Sequence, residues 1–324
     1  MKLKKFNSIR IPVSFLLVFV FLQLLFFLLK DISLSRHPLD ELIYNLNFSK
    51  ENGRIVLLGD SIIYDVAKRY QIGKKKQIIN LTTNKASGLL GSYFLLKRYF
   101  NKFEYRNPEH VIIISTPEFL NFIPKDHTAK LYLQSVFEQE DEVKYLKLFN
   151  IYENEATSLI SFVDIKSRII EPLFGLIKNK KTTLFAHGLN PYDFEKLESP
   201  GGNEVMIHKI LDRAKIDIKL SENFQNVIAN MCELSIKKNF KLHVVISPVP
   251  ETAYFAWKQK NKINKIKKSI LENESKFCKN INFFDINEIT KFPDHAFRDT
   301  DHLRSPGWTA KFAKEIDKFV NELN

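Results

Sequence analysis

Three residues near opposite ends of this chain have the types needed for nucleophilic catalysis. Residues 54–61 read Arg-Ile-Val-Leu-Leu-Gly-Asp-Ser, and residues 299–302 read Asp-Thr-Asp-His. The first stretch is an apolar run entering a tight glycine turn that ends on Ser61. The second places Asp299 three residues ahead of His302. A serine can attack, a histidine can move its proton, and a carboxylate can orient the imidazole. Asp301 is the reserve carboxylate. Ser61 opens a predicted helix, where unpaired N–H groups favour negative charge and its own N–H can face a developing oxyanion. The plain alternative is that Ser61 only caps that helix.

The elements that must bring these ends together follow from the hydrophobic pattern. Ile55–Leu58, Gln77–Leu81, Val111–Ile114, Leu242–Ile246 and Ile281–Phe284 read as five strands. Several are continuous apolar runs, as expected for strands covered on both faces. Helical patterns fall between them, at about 61–69 and 89–100. Strands alternating with helices predict an α/β fold with a parallel sheet wrapped on both faces. Ligands bind such sheets beyond the strands' carboxyl ends, where Ser61, Ser115, Ser247 and Asp285 fall.

Phe224, Val227, Ile228, Met231 and Leu234 form an amphipathic stripe before the fourth strand. The last helix is predicted with Ser305 as N-cap and Pro306 at its first position. Its stripe of Trp308, Phe312, Ile316, Phe319 and Val320 is core that holds the His302 loop on the sheet. The strand–helix rhythm lapses from about 124 to 220, too long for a loop. That stretch is expected to be a helical insertion serving as a lid or a docking element. The Lys-rich run at 257–268 reads as a solvated helix face, and Asp294-His295 as surface.

Composition sets further bounds. The chain has 324 residues, 44% hydrophobic and 27% charged, which is globular. Net charge is +12. Lys2, Lys4, Lys5, Arg10 and Lys30 account for five of those charges, leaving a modest excess that suits an anionic surface. No nucleic-acid recognition motif accompanies it. The two cysteines, Cys232 and Cys278, form no metal-binding pattern. Cys232 lies on an apolar helical face, and pairing of the two is left open.

Residues 11–29 are almost wholly apolar, interrupted by Ser14 and Gln23. As a helix they span about 28 Å, close to the hydrocarbon core of a bilayer. The basic tail, residues 1–10, then stays cytoplasmic and the remainder lies outside. The expected organisation is this tail, a signal anchor at 11–29, a juxtamembrane segment at 30–53, and one domain at 54–324 carrying the insertion.

With Gly59-Asp60-Ser61 and Asp299-x-x-His302 in place, the chain resembles the SGNH, or GDSL-like, hydrolase superfamily. That resemblance implies a three-layer α/β/α sandwich of about five parallel strands, flavodoxin-like, with Ser61, His302 and Asp299 as its triad. It implies an oxyanion donor from Gly88, Gly91 or Asn84. The family's Gly-x-Asn-Asp block is replaced by Ser115-Thr116-Pro117-Glu118, leaving Thr116 or Ser115 as substitutes. The anchor, Ile246-Ser-Pro-Val-Pro-Glu251 and Phe297-x-Asp299-x-Asp301-His302-Leu303 resemble a membrane-anchored branch. That branch assists O-acylation of cell-envelope polymers, as in alginate acetylation or D-alanylation of teichoic acids. The implied function is an extracytoplasmic O-acyltransferase acting on an envelope glycan or polymer. By analogy its partner is a multispanning membrane acyltransferase. No metal or organic cofactor is implied. The alternatives are an esterase on the same polymers and a non-catalytic scaffold on the same fold.

Overall fold

The computed structural model describes residues 18–21, 42, 46, 53–70, 72, 77–83, 88–102, 107–121, 204–218, 221–272 and 279–323. Its centre is a five-stranded, all-parallel sheet in the order β2-β1-β3-β4-β5. The strands are β1 (Ile55–Gly59), β2 (Ile78–Asn80), β3 (His110–Ser115), β4 (Lys241–Ile246) and β5 (Ile281–Asp285). All five sequence-predicted strands are present, with no end shifted by more than one residue.

The period of two along each strand builds two cores. Val56, Leu58, Val111, Ile113, Leu242, Val244 and Ile246 join one cluster. It is covered by α2 (Gly88–Lys102), α3 (Glu204–Lys215), α4 (Glu222–Lys238), α5 (Glu251–Gln259) and α6 (Lys262–Glu272). Ile55, Leu57, Ile112, Ile114 and Val245 point the other way. They meet α1 (Ser61–Tyr70) and the final helix, α8 (Gly307–Glu322). A short α7 (Ile286–Ile289) follows β5. The result is the expected three-layer α/β/α arrangement.

The predicted stripes behave as core. Phe224, Val227, Ile228 and Met231 of α4 are buried, as is Cys232. Phe312, Ile316 and Val320 of α8 are buried, with Trp308 and Phe319 packed at the edge. The Lys-rich run spans two helices, which bury Trp257, Ile263 and Ile266 and leave the lysines outside. One boundary differs: α8 begins at Gly307, with Pro306 as its cap residue. Ser305 does not cap it, because its hydroxyl accepts bonds from Arg69 Nη1 at 2.9 Å and Thr309 Oγ1 at 3.3 Å.

Among the described residues no helix is long and apolar enough to cross a membrane. Of the expected anchor only Val18–Phe21 is described, as exposed helix. Leu42 and Leu46, in the expected juxtamembrane segment, are helical and buried in the larger core. Apart from residues 204–218, the expected insertion lies outside the described residues, as does Cys278.

At the opposite end from the strand carboxyl ends, His110 Nδ1 sits 3.0 Å from His243 Nε2. Burial, then the neighbouring His110 and Lys241, lower the His243 pKa to about 4. Unfolding restores an ordinary value of about 6.5, so the unfolded chain binds more protons between these values. This contribution is complete above pH 6.5 and is lost as pH falls through 4, on the order of 3 kcal/mol in all. Urea unfolding of wild type and His243→Gln at pH 7.5 and 4.5 checks this. The wild type is expected to lose more stability on acidification than the variant, and equal losses would contradict the assignment.

Candidate active site

Gly59 closes β1 with φ +153°, a region that side-chain-bearing residues avoid. A Cβ there would lie 2.4 Å from both the Ile114 carbonyl oxygen and Ile63 Cγ2. Glycine thus lets β1 turn into α1 while hugging the end of β3. The sheet order reverses direction at this pair, since β2 lies on one side of β1 and β3 on the other. That is the crevice where doubly wound sheets place their ligands.

Asp60, rather than Ser61, provides the side-chain cap of α1. Its Oδ1 accepts from the Ile62 N–H at 3.1 Å, and its Oδ2 accepts from Ser115 Oγ at 3.1 Å. Capping by the preceding aspartate leaves the Ser61 hydroxyl for other work. Ser61 Oγ lies 2.9 Å from His302 Nε2, across 241 residues of sequence.

The histidine side of the site is a narrow loop. Phe297 and Leu303 form an antiparallel bridge, and the Arg298 N–H donates to the His302 carbonyl at 2.9 Å. Asp299 Oδ1 accepts from the backbone N–H groups of Asp301, at 2.9 Å, and His302, at 2.7 Å. His302 Nδ1 lies 3.0 Å from Asp299 Oδ1 and 3.1 Å from Oδ2. The same carboxylate therefore shapes the loop and orients the ring. With Nδ1–H directed at Asp299, Nε2 is the acceptor facing Ser61.

Partial burial raises the Asp299 pKa, but hydrogen bonds from His302 and two backbone N–H groups outweigh it and hold the carboxyl well below its usual range. His302 is raised above its ordinary value, chiefly by the hydrogen bond to Asp299 against the opposing effect of burial. Asp299 is thus an anion beside an imidazole made more basic.

The two halves are fastened together outside the triad. Tyr70 Oη, at the end of α1, donates to the Pro306 carbonyl at 3.0 Å and meets Thr309 Oγ1 at 2.9 Å. Arg69 binds Ser305 from the same turn. A small cleft beside Ser61 and His302 is lined by Val66, Arg69, Arg298, Leu303, Ser305 and Thr309.

The expected oxyanion donors are placed less completely. The loop leaving β2 runs along the glycine turn, since the Thr83 N–H donates to the Gly59 carbonyl at 3.0 Å. Gly88, with φ +56°, and Gly91 open α2 and are buried; Asn84 lies outside the described residues. Thr116 is fully buried, and its Oγ1 has no hydrogen-bond partner in the structure. The Ser115 hydroxyl is committed to Asp60.

Asp301 turns away from the imidazole and pairs with Arg213 at 3.3 Å. Asp294 accepts from Thr252 N at 3.0 Å and Thr252 Oγ1 at 2.5 Å, pinning the start of α5. Asp60 and Arg213 were not among the residues singled out by sequence. An aspartate just before a helix is itself an N-cap signal, whereas nothing local marks Arg213. Among the described residues no cluster of three or more His, Cys, Asp or Glu is placed to hold a metal.

No protein-family model and no curated protein matches the chain. Two solved structures align over most of its length. A GDSL-like lipase from Bacteroides thetaiotaomicron is 12% identical, with 85% of this chain and 91% of that one covered, at a TM-score of 0.36. A provisionally assigned acylhydrolase from Bacteroides fragilis is also 12% identical, with 90% and 99% covered, at a TM-score of 0.38. At scores this low the likeness carries no argument about this chain.

Burial pushes the Asp60 carboxyl up to about 6, against the lowering effect of its bonds from Ile62 and Ser115. A raised carboxyl favours the folded state fully below its unfolded value of about 3.8, and that gain is lost as pH rises through 6. Asp60→Asn removes the buried charge and keeps an acceptor for the Ile62 N–H. Relative to wild type, the variant is therefore expected to gain about 2 kcal/mol in unfolding free energy between pH 4.5 and 7.5. A pH-independent difference would contradict this account.

Proposed function

We propose that this chain is a serine-dependent acyl-transfer enzyme of the SGNH, or GDSL-like, type. The observation that carries the reading is the continuous Ser61–His302–Asp299 hydrogen-bond chain at the carboxyl ends of a parallel sheet. Ser61 Oγ attacks an acyl carbonyl while His302 Nε2 takes its proton. The tetrahedral adduct collapses as the leaving oxygen takes that proton, and an acyl-Ser61 ester remains. An acceptor hydroxyl, deprotonated by His302, then attacks the ester and releases Ser61. The Ser61 N–H, at the first position of α1, has no acceptor within the helix and is available to the oxyanion. Thr116, Gly88 and Gly91 are the further donors to be tested.

The finer reading is an O-acyltransferase facing outward from the cell membrane and acting on an envelope glycan or polymer. Its support is the apolar segment 11–29 behind a basic tail, and the sequence likeness to the envelope-acylating branch. A multispanning acyltransferase would then supply the acyl group. Water as acceptor would make the same site an esterase. Pro117 and Glu118, standing where the family carries Asn-Asp, favour a scaffold role as the second reading.

The transferase reading is tested with the full chain and 4-nitrophenyl acetate, with and without a soluble polyol or glycan acceptor. Acetylated acceptor is expected in excess of free acetate. Acetate alone would select the esterase. Turnover is expected to rise with pH through an inflection above 6.5, because only neutral His302 accepts the serine proton and Asp299 raises its pKa. Asp299→Asn should lower kcat by about 10²–10⁴-fold. Turnover unchanged in that variant would remove Asp299 from the mechanism.

A further inference from the structure

Arg213 lies on α3, outside the triad, yet its side chain is only 4% exposed. Its guanidinium has three sets of partners. Nε bonds Glu118 Oε1 and Nη2 bonds Glu118 Oε2 at 3.2 Å, a fork-on-carboxylate pair. Nη1 bonds the Thr300 carbonyl and lies 3.3 Å from Asp301 Oδ1. Its Cζ stands 5.6 Å from the centre of the ring of Trp257, a fully buried residue of α5. One side chain therefore joins α3, the loop after β3, α5, and the two residues between Asp299 and His302.

We infer that Arg213 is a positioning residue that sets the Asp299–His302 loop, so that His302 Nε2 meets Ser61 Oγ. The inference rests on the acyl-transfer reading of the site and adds a residue to it. Thr300 and Asp301 are the span over which the chain turns from the carboxylate to the histidine it orients. Fixing their carbonyl and carboxylate fixes the direction in which the ring leaves the loop. A lysine cannot make the same contacts, because it offers a point charge where the fork is needed. The Glu118 pairing also explains why an acid follows Pro117: it anchors Arg213 from the far side.

The test uses the full chain in wild-type form and as Arg213→Gln, Arg213→Lys and Asp301→Ala. Each is reacted with a serine-directed fluorophosphonate, and kinact and KI are measured separately. Arg213→Gln is expected to lower kinact by about 10–100-fold, since small displacements of a reacting group cost this much. KI should stay within about two-fold, and Arg213→Lys should fall between. The downfield proton resonance of the His302–Asp299 hydrogen bond should weaken in the same order. Asp301→Ala removes one of the two Arg213 contacts to the loop and leaves the Thr300 carbonyl bond and the Glu118 pair in place. A smaller fall in kinact, still with the weakened resonance, is therefore expected of it, and it decides the matter if Arg213→Gln fails to fold. Folded variants with wild-type kinact and an unchanged resonance would overturn the inference. If wild type itself does not react, the acyl-transfer reading falls, and the resonance alone decides whether Arg213 positions His302.

Discussion

A 2.9 Å contact between Ser61 Oγ and His302 Nε2 links the first strand–helix turn to the last loop of the domain. Groups 241 residues apart meet at hydrogen-bond distance only if both approaches are rigid. On one side rigidity comes from backbone sterics: Gly59 passes so close to Ile114 that no side chain fits. On the other it comes from Asp299, whose one oxygen gathers two backbone N–H groups and the imidazole. The two sides are joined by Tyr70 and Arg69 reaching to the start of α8. The sheet supplies the frame, and these contacts supply the aim.

Electrostatics within this frame is divided between two aspartates. Asp299 is stabilised as an anion by donated hydrogen bonds, and this makes His302 a better base. Asp60, one residue from the nucleophile, is buried and pushed up to about 6. It caps the start of α1 and holds Ser115, so its work is architectural. The opposite shifts of these two acids reflect different surroundings, one rich in donors and one sealed from water. Burying the second charge opposes folding at neutral pH, which is consistent with a site that gives up some stability for geometry.

Much of this was legible in the sequence, for reasons that differ by element. The strands were readable because β1 and β3 are buried on both faces and so consist of unbroken apolar runs. The α8 stripe was readable because its buried residues recur at helical spacing. Ser61, Asp299 and His302 were readable because two of them lie within one loop and the third sits in a turn that demands glycine. The capping role of Asp60 was obscured by Ser61 beside it, since both residue types cap helices. The start of α8 was misplaced because Ser305 bonds laterally to Arg69, a partner 236 residues away. Arg213 was invisible for the same reason, as its partners come from three distant segments.

The triad geometry requires Ser61 to be an activated nucleophile. Intact-protein mass after reaction with a fluorophosphonate tests it most directly, on wild type, Ser61→Ala and His302→Ala. One adduct is expected on wild type, none on Ser61→Ala, and at most a trace on His302→Ala. A folded wild type that stays unmodified, or an adduct that persists in Ser61→Ala, would contradict it.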